Sequence, residues 1–147
     1  MHQAKQMTRM KKFIIASCIV LVSAVGYGFY LYYKPHQGIA NKEAAFTLES
    51  KKLFDEYSTD ESASNNKYLG KIVSVFGRVV DKGVDANGTF SLIMEGGDFA
   101  GVGCQFDKSV LNEMQTIKKG QVLKIKGMCT GMLMDVVLID CVQEEIN

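Results

Sequence analysis

From Lys71 onward the spacing of apolar residues changes from that of a helix to that of a strand, and this switch constrains the fold most. "KIVSVFGRVVD" (71–81) is β-branched and alternating, with Val73, Val75 and Val79 on one face. Gly77 interrupts it, as expected where a long barrel strand bends or bulges. "DANGT" carries Asn87-Gly88, a strong hairpin signal. "TFSLIME" then reads as a second strand and "GVGCQF" as a third, the latter flanked by Gly96-Gly97 and Gly101. "DKSVLNEMQTIKKG" (107–120) predicts a helix, with Asp107 as N-cap and Gly120 as its C-terminal stop. "QVLKIKGMC" and "DVVLIDCVQ" follow as strands four and five across a "TGMLM" turn.

Alternation means that each strand buries one side. Three strands, a helix and two strands predict a mainly β domain, a five-stranded Greek-key barrel of the OB type with a helix between strands 3 and 4. An SH3-like barrel is the main rival, but it has no place for a helix of that length there.

Upstream, Phe46, Leu53, Phe54 and Tyr57 fall on one helical stripe, expected to pack on the barrel rather than to hold a partner. "STDE" resembles a capping box, with Ser58 as N-cap and Glu61 reaching back, opening a second short helix to about Asn66. "KPHQGIANKE" (34–43) holds the only proline and reads as a linker. "FIIASCIVLVSAVGYGFYLYY" (13–33) has no charged residue and is long enough to cross a bilayer as a helix. Lys11 and Lys12 precede it and tyrosines crowd its far end, so an uncleaved anchor with a cytoplasmic N-terminus is expected. A cleaved signal peptide, a lipoprotein box at "IASC" with Cys18 lipidated, and a buried core helix are the other readings. The expected organisation is a basic tail (1–12), a transmembrane anchor (13–33), a linker (34–43), a helical leader (44–67) and the barrel (68–147). On this reading the barrel lies outside the cytoplasm, on a single-pass protein of the inner membrane.

"NNKYLGKIVSVFGRVV", "VGCQF", "KKGQVLKIKGMCTG" and "DVVLIDC", in that order, resemble the bacterial tRNA_anti-like family of OB-fold domains. The resemblance runs from about Ala45 to Val142. It implies a short domain attached to an N-terminal membrane or signal segment, and it brings no catalytic residues.

Residues 1–12 carry a local charge of +4, whereas Lys42 to Asn147 hold 12 Lys and Arg against 16 Asp and Glu, a net −4. Nucleic-acid binding needs a positive groove interleaved with aromatic platforms. Phe90, Phe99 and Phe106 are candidate aromatics, and Lys71, Arg78, Lys82, Lys124 and Lys126 candidate cations. An acidic domain without Trp, outside the cytoplasm, disfavours that reading. Catalysis is not expected, because both histidines, His2 and His36, precede the domain. The carboxylates Asp98, Asp107, Asp135 and Asp140 read as solvated loop or cap residues. Met128, Cys129, Met132 and Met134 invite comparison with Cu(I) sites, but flexible methionines are also common core fillers. No cofactor or metal is expected.

Cys104, Cys129 and Cys141 all look core-facing by parity, Cys141 with Val137 and Ile139. In an oxidising compartment Cys104–Cys141 is the pairing expected if any bridge forms, since strands three and five are neighbours in an OB barrel; another bridge and three buried free thiols stay open beside it. The expected function is a non-enzymatic binding or assembly module of the cell envelope, with a protein or glycan partner. Its contact face would include Lys71, Arg78, Phe99 and Met132.

Overall fold

The computed structural model describes residues 17–27 and 38–146. Residues 17–27 are helical; the rest of the expected span, 13–33, lies outside the described residues, as does the basic tail. Among the described residues no helix is long and apolar enough to cross a membrane. Gly38–Asn147 form a separate compact unit.

In that unit a 3₁₀ turn (Ile39–Asn41) leads to strand β1 (Phe46–Glu49), helix α1 (Ser50–Thr59) and helix α2 (Glu61–Tyr68). Strands β2 (Ile72–Val84), β3 (Phe90–Met94) and β4 (Val102–Phe106) follow. After a 3₁₀ turn (Lys108–Val110) and a short helix α3 (Leu111–Met114) come β5 (Val122–Met132) and β6 (Val136–Glu144). The sheet order is β1-β2-β3-β4-β6-β5, and β5 pairs again with β2. That second pairing closes a five-stranded barrel, β2-β3-β4-β6-β5, in OB-fold order with the parallel β4–β6 pair in its wall.

The alternation expected of the strands is present. Val73, Val75 and Val79 are fully buried, as are Leu92 and Met94 on β3 and Val102 and Cys104 on β4. Each such side chain withdrawn from water contributes about 1.5–3 kcal/mol. The helices close one side of this core with Leu53, Tyr57 and Tyr68, all nearly inaccessible.

Four local expectations are corrected. The leader begins as a strand: Phe46 pairs with Val73, and β1 runs parallel to β2. The second helix is capped by Asp60, which accepts from Ala63 N at 2.9 Å; Ser58 lies inside α1. Gly77 is regularly paired with Leu123, and the bulge falls instead at Val80, between the Val79–Met94 and Asp81–Ile93 pairs. A side chain at Gly77 would collide with Ser50, so this glycine serves close packing of α1 on β2. The helix between the third and fourth barrel strands is only the 3₁₀ turn and α3, although Asp107 caps it by accepting from Ser109 N and Gly120 takes φ 87°.

β6 carries a bulge of its own. Lys126 pairs with Val142 and Met128 with Ile139, so one residue is extra on β6. Asp140 takes φ 53° there, a left-handed conformation that costs a non-glycine residue on the order of 1 kcal/mol. Val136 and Leu138 are inside before the bulge and Cys141 is inside after it. Cys141 is therefore core-facing as expected, but through the bulge and not through parity with Val137 and Ile139.

Candidate binding surface

The loops at one end of the barrel are built around Asp135. Its carboxylate accepts from Gly101 N at 2.7 Å, and its carbonyl accepts from Leu133 N at 3.1 Å. Gly101 O in turn accepts from Val136 N at 3.0 Å. The β3–β4 and β5–β6 loops are thus tied to each other. The first is tightened further by Gly97 N donating to Ala100 O at 2.7 Å, and by Phe54, which lies over Gly96 and Gly97 where side chains would collide with its ring. Phe99 at the tip of one loop is 98% exposed, and Leu133 and Met134 on the other are 94% and 74% exposed. Exposed apolar side chains on loops this well tied make this end of the barrel the candidate contact surface.

Of the four residues expected at the contact face, Phe99 is exposed on the β3–β4 loop. Met132 is half-buried against the core, and its neighbours Leu133 and Met134 take the exposed positions. Lys71 accepts through its carbonyl from Cys129 N, and its ammonium lies 5.4 Å from the centre of the Phe46 ring. Arg78 pairs with Val122 at the opposite end of β5, roughly 20 Å from Lys71 at strand rise. The four do not form one site. The apolar "TGMLM" turn was the available signal for Leu133 and Met134, since turns are ordinarily polar. Asp135, a solvated loop residue by sequence alone, joins two loops through contacts that exist only in the folded barrel.

The other candidate cations have partners within the domain. Arg78 donates to Gly120 O at 3.2 Å and lies 4.0 Å from Glu95. Lys82 donates to the carbonyls of Gln115 and Ile117 after α3. Lys124 and Lys126 lie 3.6 and 3.1 Å from Glu144, which also accepts from Ser74 Oγ at 2.5 Å. Lys126 is buried and donates to Ala40 O, fixing the segment that leads into β1. Burial pushes the Glu144 carboxyl up, but Ser74 and the two lysines more than offset this and hold it below the usual 4.5. Of the candidate aromatics, Phe90 and Phe106 face each other in the core, 6.0 Å apart.

Beside α1 and α2, Phe46 meets Tyr68 edge-on at 4.9 Å, and Lys67 lies 4.7 Å from the Tyr68 ring. Glu56 accepts from Lys67 at 2.8 Å and from Tyr68 Oη at 2.7 Å, and these two bonds hold its carboxyl below the usual value. Cys129 approaches Tyr57 Oη at 3.3 Å inside the core, while Met128 projects from the opposite face of β5. Met134 is out on the turn. Cys104, Cys129 and Cys141 are all buried thiols, the reading that leaves the three unpaired.

Barrel order, parallel closure and loop arrangement define an OB-fold domain carrying an additional strand and helices. The chain belongs to the tRNA_anti-like family, whose model matches residues 7–143. Among solved structures it is similar to a "putative nucleic acid-binding lipoprotein" from Klebsiella pneumoniae subsp. pneumoniae MGH 78578, with a TM-score of 0.57 and 17% identity. That match covers 75% of this chain and 98% of the Klebsiella one, and at this identity it speaks to the fold alone. No curated protein matches.

Proposed function

We propose that this protein is a non-enzymatic OB-fold binding module of the cell envelope, held by residues 13–33, that recognises a protein through its Asp135-tied loop end. The observation that carries the reading is the contrast between two surfaces. Phe99, Leu133 and Met134 are exposed on tied loops, while Arg78, Lys82, Lys124 and Lys126 are engaged within the domain. An engaged cation must give up its partner before it can release counterions from a phosphate backbone, so electrostatic binding to nucleic acid is weakened at its source. The uncharged run with its basic flank supports envelope anchoring, and the lipoprotein in the Klebsiella protein's description is compatible with it. That description also supports a second reading, an OB-fold nucleic-acid binder.

The two readings separate cleanly. Full-length protein solubilised in detergent is used to capture partners from envelope extract, beside the F99S/L133S/M134S variant. We expect one protein retained by the native chain, insensitive to moderate salt and lost with the variant. Sub-micromolar affinity for a single-stranded oligonucleotide, falling steeply with salt, would instead establish the second reading. A reporter fused after Asn147 and active only in the cytoplasm would overturn the envelope placement.

A further inference from the structure

Three residues cooperate to place one sulfur atom. The extra residue Asp140, at φ 53°, turns β6 so that Cys141 points into the barrel. Gly127, opposite this bulge on β5, gives the sulfur its room: a Cβ there would lie 2.6 Å from Cys141 Sγ and 3.0 Å from Leu138 Cβ. Cys141 Sγ then donates to Leu138 O at 3.4 Å. Leu138 is the residue in register with Cys104 across the parallel β4–β6 pair. Cys104 and Cys141 therefore both face the core from neighbouring strands, each placed beside Leu138, one by register and one by its hydrogen bond. β4–β6 pairing ends at Cys104 and Leu138, and beyond it a cleft of about 300 Å³ opens, lined by Phe106, Val110, Met114 and Cys141.

We propose that Cys104 and Cys141 are a dithiol that closes to a disulfide, fastening β4 to β6 where their pairing stops, while Cys129 remains a thiol beside Tyr57. That closure takes place in the cell rests on the envelope placement above, because cytosolic thiols are kept reduced. The oxidant is a disulfide, small or protein-borne, reached through the cleft. The Cys141 thiolate attacks one of its sulfurs, forming a mixed disulfide and releasing the other sulfur as a thiolate. The Cys104 thiolate then attacks Cys141 Sγ, forming the internal S–S bond and releasing the second thiolate. Two electrons pass from the pair to the oxidant, whose two sulfurs leave as thiols after taking up two protons. Burial and the neighbouring Cys104 push the Cys141 thiol well up, so closure in the folded protein quickens as pH rises.

The test equilibrates full-length protein in detergent with mixtures of reduced and oxidised glutathione, blocks remaining thiols and maps them by mass spectrometry. The expected product is lighter by two hydrogens, bridges Cys104 to Cys141 and leaves Cys129 blocked by the reagent. C129S should retain the bridge and C141S should lose it. Closure should raise the melting temperature of the native chain by about 5–15 °C. A bridge through Cys129, a stable glutathione adduct on Cys141 without internal closure, or thiols that stay open throughout would overturn the assignment. In cells quenched with acid and then alkylated, an oxidised pair supports closure there. A pair that closes in glutathione but is reduced in cells would overturn the envelope placement and leave the dithiol standing.

Discussion

At Glu144 one carboxylate holds two ammonium groups and a hydroxyl, and one of those ammonium groups, Lys126, is buried. Removing a single member of such a cluster leaves the others desolvated and underpaired, which costs more than the pair itself contributes. The E144Q variant should therefore lose about 1–3 kcal/mol at neutral pH, read from urea unfolding. Its pH dependence follows from sign. The folded carboxyl titrates below its ordinary 4.5, so its contribution is complete above that value and is lost as pH falls through the depressed one. Glu56 behaves alike through Lys67 and Tyr68. Native protein should lose stability on acidification, and E144Q should show a shallower acid limb. An acid limb unchanged by the substitution would show that Glu144 is not a source of it.

Between α1 and α2 the chain turns at Asp60, whose extended backbone (φ −152°) ends one helix while its side chain starts the next. D60A should cost about 1 kcal/mol. S58A, which changes a residue inside α1, should stay within about 0.5 kcal/mol. The reverse ranking would restore the "STDE" capping box. The contrast also shows what was readable in the residues. Barrel strands were legible because a two-residue period survives any tertiary context that buries one face. β1 was not, because "FTLE" is too short to show a period and Phe46 happens to continue the stripe of Leu53 and Tyr57. The helix after β4 was over-read for a related reason: sound caps mark where a helix can begin and stop, not that every turn between them forms. The contact surface was less legible still. Phe99 could be named from a glycine-flanked loop, but the partners of Arg78 and Lys126 are Glu95, Gly120 and Glu144, distant along the chain and adjacent only once the barrel closes.

Barrel and leader depend on each other. Leu48, Leu53 and Tyr57 are at most 9% exposed, and each contributes on the order of 1.5–3 kcal/mol by burial. Their sum rivals the whole stability of a typical domain, about 5–15 kcal/mol. A fragment of residues 38–147 should unfold in one cooperative urea transition, whereas residues 68–147 alone should show none. A cooperative transition in the shorter fragment would mean that the five barrel strands suffice.

The space beside Gly127, taken up by the sulfur of Cys141, also ties what residue 127 can become to what residue 141 is. Alanine at 127 meets the sulfur of Cys141 at 2.6 Å, so that substitution is barred while the sulfur stays. Loss of the sulfur at 141 removes that one contact, while a Cβ at 127 still meets Leu138 Cβ at 3.0 Å and Ile139 O at 3.1 Å. Residue 127 is thus held to glycine from three sides, by one side chain that substitution can remove and by Leu138 and Ile139 of β6, which it cannot.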